Sequence, residues 1–140
     1  MTAPSPGPAD PDGEPGAEPP LVLIVDDSEK NLKLARDVLR AAGLRTLEAA
    51  TGAEALALAR EHLPDVILLD LHLPDLDGTV VARQLADGVR TASIPLVASS
   101  AQRLDASADW LRAAGFAGYL EKPIRVETFP DQVLGYCSRG

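Results

Sequence analysis

Asp70 closes the apolar run Val66-Ile67-Leu68-Leu69 and is followed by Leu71-His72-Leu73-Pro74. A run with no polar member reads as a strand buried on both faces, the habit of strands in a parallel sheet. A carboxylate at the carboxyl end of such a strand stands at the rim where α/β proteins bind ligands. A second acidic pair, Asp26-Asp27, follows the apolar run Leu21-Val22-Leu23-Ile24-Val25. Two strands that end in acid predict one shared acidic pocket. Crowded carboxylates repel: a pair about 4 Å apart costs ~1 kcal/mol in water and ~4 kcal/mol at an effective dielectric of ~20. Protonating one acid or binding a cation relieves the repulsion. All-oxygen donors favour a hard divalent ion, and Mg²⁺ is the natural choice. Mg²⁺ keeps several waters and shares phosphate oxygens, so the pocket points to phosphoryl chemistry. Lys122, before Pro123, can bring a positive charge to the same rim, and Ser100 a hydroxyl. The set is then a nucleophilic carboxylate, a metal, a cation and a hydroxyl around one phosphoryl group.

The elements that must position these groups alternate along the chain. A strand at Leu21–Val25 leads into a helix over Glu29–Ala42, with apolar residues at Leu32, Ala35, Val38, Leu39 and Ala42. Gly43 suits the left-handed position that ends a helix. A second strand covers Arg45–Ala49. Thr51 and Glu54 form a T-x-x-E capping box, and that helix runs to about His62, before Pro64. The third strand is Val66–Leu69. Asp77-Gly78 opens a helix that ends near Asp87-Gly88. A fourth strand, Leu96–Ser99, follows Pro95, and a helix spans about Asp105–Ala114 with Gly115 as its stop. Ala117–Leu120 is a short fifth strand, and a last helix lies within Val126–Tyr136. Strands joined by helical crossovers make a parallel sheet with helices on both faces. The expected fold class is α/β, a flavodoxin-like (βα)5 doubly wound sheet of strand order 2-1-3-4-5. In that order strand 1 lies beside strand 3, about 4.8 Å away, which brings Asp26, Asp27 and Asp70 to one crevice.

Composition narrows the class. The 140 residues are 46% hydrophobic and 24% charged, with a formal net charge of -8, ordinary values for a globular domain. Residues 1–20, rich in Pro and Gly, carry four acids and no base, so they supply -4 of that charge. Such a segment buries too little apolar surface to offset its ordering entropy and is expected to be disordered. Residues 21–140 form the expected domain. The lack of a basic cluster argues against DNA binding. No apolar run approaches the roughly 18 residues of a membrane span, and the N-terminus lacks a secretory signal. A single cysteine, Cys137, rules out an internal disulfide and fits a cytoplasmic protein.

The motifs in order carry a resemblance. Asp26-Asp27, then Leu68-Leu69-Asp70-Leu71-His72-Leu73-Pro74 with Asp77-Gly78, then Ile94-Pro95 leading to Ser99-Ser100-Ala101, then Tyr119-Leu120-Glu121-Lys122-Pro123 resemble the response-regulator receiver domain. The match covers residues 21 to about 126. The segment Lys30-Asn31-Leu32-Lys33-Leu34 also resembles the DivK-type single-domain regulators. The resemblance implies that a sensor histidine kinase or phosphotransfer protein donates a phosphoryl group to Asp70. It implies that Asp27 and Asp70 hold Mg²⁺ with the backbone carbonyl of His72, Asp26 acting through water. Lys122 would contact the phosphoryl oxygen. Ser100 would close onto it, and Tyr119 would turn inward, reshaping the face made by the fourth helix, fifth strand and fifth helix. His72 and Gln102 occupy positions that tune dephosphorylation. The expected role is a signalling phosphoacceptor that binds a downstream protein, not a turnover enzyme.

Each assignment has a plainer rival. Asp70 could cap the loop that follows it. Asp27 or Ser28 could cap the first helix, and if Ser28 does, Asp27 is left for the metal. Ser99 competes with Ser100 for the hydroxyl role, and the spacing from Ile94-Pro95 favours Ser100. A phosphatase of the haloacid dehalogenase type needs a second Asp two residues past the nucleophile, where this chain has His72. A flavodoxin needs a hydroxyl- and Gly-rich loop after strand 1, and Asp26-Asp27-Ser28-Glu29-Lys30 has the wrong charge for phosphate. A degenerate receiver acting as a phosphorylation-independent module would need a broken site, and every key position is filled. Two departures stand out. Pro130 falls where the last helix should be running, so a short or kinked helix is expected, with Thr128 and Asp131 capping a late start. The sequence stops at Gly140, which leads to the expectation of a stand-alone receiver.

Overall fold

The apolar runs become strands and the 3.6-residue patterns become helices, in the predicted alternation. A computed structural model describes residues 19–100, 109–122 and 124–137. Its elements are β1 Leu21–Val25, α1 Glu29–Ala41, β2 Arg45–Ala49, α2 Gly52–His62, β3 Val66–Asp70, α3 Gly78–Asp87, β4 Leu96–Ser100, α4 Asp109–Ala113, β5 Gly118–Glu121 and α5 Phe129–Tyr136. The strands form one parallel sheet in the order β2-β1-β3-β4-β5. The N-terminal segment read as disordered lies outside the described residues up to position 18, as do Gln102, Pro123 and the start of the helix predicted from Asp105. No described helix is long and apolar enough to cross a membrane.

Strand alternation divides the core in two. Leu23, Val25, Ile67, Leu69 and Ala98 face α2 and α3, packing on Ala55, Leu56, Val81 and Leu85. Val22, Ile24, Val66, Leu68 and Val97 face α1 and α5, packing on Leu32, Leu39, Phe129 and Val133. Both sides of β3 are covered, which is why its sequence shows no polar residue before Asp70.

Local signals set the element ends. Ser28 is the N-cap of α1, its hydroxyl accepting from the Asn31 N–H. Asp27 is therefore not spent on the cap. Gly43 and Gly115 take φ of +94° and +103°, the left-handed geometry expected of helix stops. Thr51 caps α2 by accepting from the Glu54 N–H. Glu54 reaches back to the N–H of Ala50, one residue before the cap.

Several boundaries differ from the sequence reading by one residue, among them the end of α1 at Ala41, of β3 at Asp70 and of α4 at Ala113; two concern the last strands. β4 includes Ser100, and β5 runs from Gly118 to Glu121. Ladder bonds explain the first: the Lys122 N–H donates to the Ser100 carbonyl at 2.9 Å, extending the pairing past Ser99. The last helix is short, as Pro130 predicted. α5 starts at Phe129, with Pro130 in its first turn, where a missing N–H breaks no helical bond. Thr128 holds the N-cap position but its side chain makes no capping bond. The entry is made by backbone instead, the Phe129 N–H donating to the Arg125 carbonyl at 2.9 Å.

Candidate functional site

The register of β1 on β3 pairs Val25 with Leu69, so the next residues, Asp26 and Asp70, emerge side by side at the carboxyl rim. Asp27 follows on the loop into α1. Oxygen atoms of Asp26, Asp27 and Asp70 all lie within 4.8 Å of one another. Asp26 and Asp70 are buried, and Asp27 is exposed. Among the described residues this is the group of acids, histidines and cysteines that could hold a metal ion. The donors are all oxygen, with one open side, which fits a hydrated Mg²⁺.

Lys122 comes from the far side of the sheet. Its Nζ lies 2.6 Å from Asp26 Oδ2 and 3.3 Å from Asp70 Oδ2. Both groups hold their protons more tightly than usual, for different reasons. Burial raises the Asp70 carboxyl above the ordinary range. The His72 N–H, which donates to Asp70 Oδ1 at 3.0 Å, and the Lys122 charge offset this only in part, and Asp26 adds repulsion. For Lys122, burial works to lower the pKa. The hydrogen bond and charge of Asp26, then those of Asp70, outweigh it, so the ammonium is held above its ordinary range. One cation thus serves two buried carboxylates.

Asp26 is held from three directions. Besides Lys122, the Ser28 N–H donates to Oδ1 at 2.9 Å, and Asn31 Nδ2 donates to Oδ2 at 3.2 Å. Asn31 was not singled out by sequence reasoning. The only available signal was an amide in the first turn of a helix that follows two acids.

The other described candidates lie on the loop after β3, on β4 and on β5. His72 is the second residue of the loop between β3 and α3, and it is exposed. That loop and Asp27 line one cavity, with His72 among its walls. Ser100 is 2% exposed at the end of β4. Ser99 pairs with Asp70 in register and, by alternation from Val97, points to the α1 and α5 side. Tyr119 pairs with Ala98 and packs against the α2 and α3 core, the side on which Ser100 also falls. Gln102 lies outside the described residues.

Comparison with known proteins agrees with this geometry. The family model described as the response regulator receiver domain matches residues 22–134. The polar-differentiation response regulator DivK of Brucella anthropi is 40% identical over 118 residues, covering 84% of this chain and 96% of that protein. Its counterpart in Brucella ovis is 40% identical over 115 residues, covering 82% and 94%. Among solved structures, the chemotaxis response regulator CheY4 of Vibrio cholerae superposes with a TM-score of 0.79 at 27% identity, covering 84% of this chain and 98% of that one. The receiver domain of sensor histidine kinase PA1611 from Pseudomonas aeruginosa, described with a magnesium ion coordinated in its active-site cleft, gives a TM-score of 0.76 at 27% identity, covering 84% and 97%. With a family model spanning the sheet from its first strand into its last helix, the chain belongs to the response regulator receiver domains.

Proposed function

We propose that Asp70 accepts a phosphoryl group from a sensor histidine kinase or phosphotransfer protein, and that the phosphorylated domain changes its contacts with a downstream protein. The observation that carries this reading is the meeting of Asp26, Asp27 and Asp70 within 4.8 Å, with Lys122 3.3 Å from Asp70. An Asp70 oxygen forms the bond to phosphorus while the bond from phosphorus to the donor imidazole nitrogen breaks. Burial that raises the Asp70 pKa also makes its carboxylate a better nucleophile than a solvated one. Asp27 and Asp70, with the His72 carbonyl, would hold Mg²⁺, Asp26 acting through water, and the ion would supply charge neutralisation at the phosphoryl oxygens. Lys122, already charged and already between two carboxylates, releases Asp70 to contact a phosphoryl oxygen. The Ser100 hydroxyl closes onto another, and Tyr119 follows it inward toward the α4, β5 and α5 face. His72 and Gln102 set how readily water reaches the acyl phosphate.

The test is direct. Incubation with Mg²⁺ and a small phosphodonor is expected to add about 80 Da to the intact protein, and Asp70→Asn is expected to abolish the gain. No added mass with any donor or histidine kinase would overturn the assignment.

A further inference from the structure

The loop Leu71–Asp77 carries the His72 carbonyl and is closed on itself at its base. The His72 N–H donates back to Asp70 Oδ1, the Gly78 N–H donates to the Leu71 carbonyl at 3.2 Å, and His72 bridges to Asp77. Gly78 fits against the backbone of Leu71 and Asp70, where a Cβ would lie 3.0 Å from Leu71 Cα. These bonds fix the ends of the loop and leave its tip to be held by something else.

The tip is held by α2. Asp75 Oδ1 accepts from the Gly52 N–H at 2.8 Å, and Oδ2 accepts from the Ala53 N–H at 3.1 Å. Those are the first two N–H groups of α2, which have no partner within the helix. They hold the Asp75 carboxyl below its ordinary range. Leu76 lies on the same turn, so close that a Cβ at Gly52 would meet Leu76 Cδ1 at 2.9 Å. A polar clasp and an apolar contact therefore dock the tip on one spot of α2. Thr51 caps that helix through the Glu54 N–H and so does not compete for the Gly52 and Ala53 donors.

We propose that Asp75 is a positioning residue for the metal: its clasp on α2 sets the path of the loop and so holds the His72 carbonyl opposite Asp27 and Asp70. The inference rests on the Mg²⁺ reading above. Its physical basis is general, since groups that orient a metal ligand from behind control affinity nearly as strongly as the ligands. A carboxylate accepts both N–H groups, a carboxamide oxygen only one, and alanine neither. Position and charge can therefore be separated, because Asp75→Asn and Asp75→Ala remove the same charge.

Calorimetric titration of the metal-free protein with Mg²⁺ tests this on the wild type, Asp75→Asn and Asp75→Ala. The expected order of affinity is wild type, then Asn, then Ala, with Ala weaker by about tenfold. At saturating Mg²⁺ the phosphorylation rate with a small phosphodonor is expected to return to the wild-type value. If Asp75→Ala does not fold, the loss in Asp75→Asn carries the test. Affinities within twofold of wild type in a folded variant would overturn the inference while leaving the Mg²⁺ reading intact. Equal losses in Asn and Ala would overturn it too, since charge alone would then account for the effect. A wild type that binds no Mg²⁺ would remove the reading itself and the inference with it.

Discussion

Asp70 and Lys122 respond to pH in opposite ranges, and the signs follow from where each pKa is moved. Asp70 binds its proton more tightly folded than unfolded. Its ionisation therefore costs stability as pH rises from the ordinary carboxylate range through the raised value. Lys122 also holds its proton more tightly when folded, but its contribution is fully present at neutral pH and is lost only as pH climbs past the ordinary lysine range. At neutral pH both are in force: the Asp70 charge costs stability while the Lys122 charge adds to it. Asp70→Asn is thus expected to raise the stability of the metal-free protein at pH 7 by about 1 kcal/mol, roughly 4 °C in Tm. The gain should fade to nothing below the carboxylate range. Thermal melts across pH check this, and a gain that persists in acid would contradict it. Asp26, Asp27, Asp70 and Lys122 were legible in the sequence because each ends or follows a strand. Asn31 was not, because its bond to Asp26 depends on how the first turn of α1 is aimed.

At the scale of elements, the informative case is α5. A proline in mid-helix costs about 3 kcal/mol, and one in the first turn costs little. Pro130 stands in the first turn, so Pro130→Ala is expected to lower stability by less than about 1 kcal/mol, through the freer unfolded chain alone. Urea unfolding with circular dichroism measures both terms. A stabilisation with added helix would mean that Pro130 truncates α5 rather than starting it. The late start was readable from Pro130, but its means of entry was not, since Thr128 provides a backbone carbonyl to Gln132 and no side-chain cap. The last turn of α5 returns to the sheet through Tyr136, whose ring and hydroxyl occupy the space where Gly118 has no side chain. Nothing in the sequence near Gly118 announces that contact, because its partner lies a whole helix away. The placement of Ser100 inside β4 was missed for a similar reason: its pairing with Glu121 of β5 extends the strand.

For the molecule as a whole, the proposed Mg²⁺ site would link metal binding to stability. Mg²⁺ at a hundred times its dissociation constant is expected to stabilise the fold by about 2.7 kcal/mol, a rise of roughly 10 °C in Tm. Asp27→Ala should melt at or above the wild type without metal, because one repelling charge is gone, and should lose most of the Mg²⁺-dependent rise. Equal rises in both proteins would exclude Asp27 as a ligand. The sequence by itself determined the strand and helix order, the parallel sheet and the acids at its rim. Strand periodicity, helix stops and apolar runs are local and need no knowledge of the rest of the chain. Only the tertiary structure decided which groups touch across it: Lys122 lying between Asp26 and Asp70, and Asp75 seated on the first turn of α2. Those contacts join residues more than twenty positions apart, and their geometry is fixed by sheet register and helix packing rather than by any local pattern.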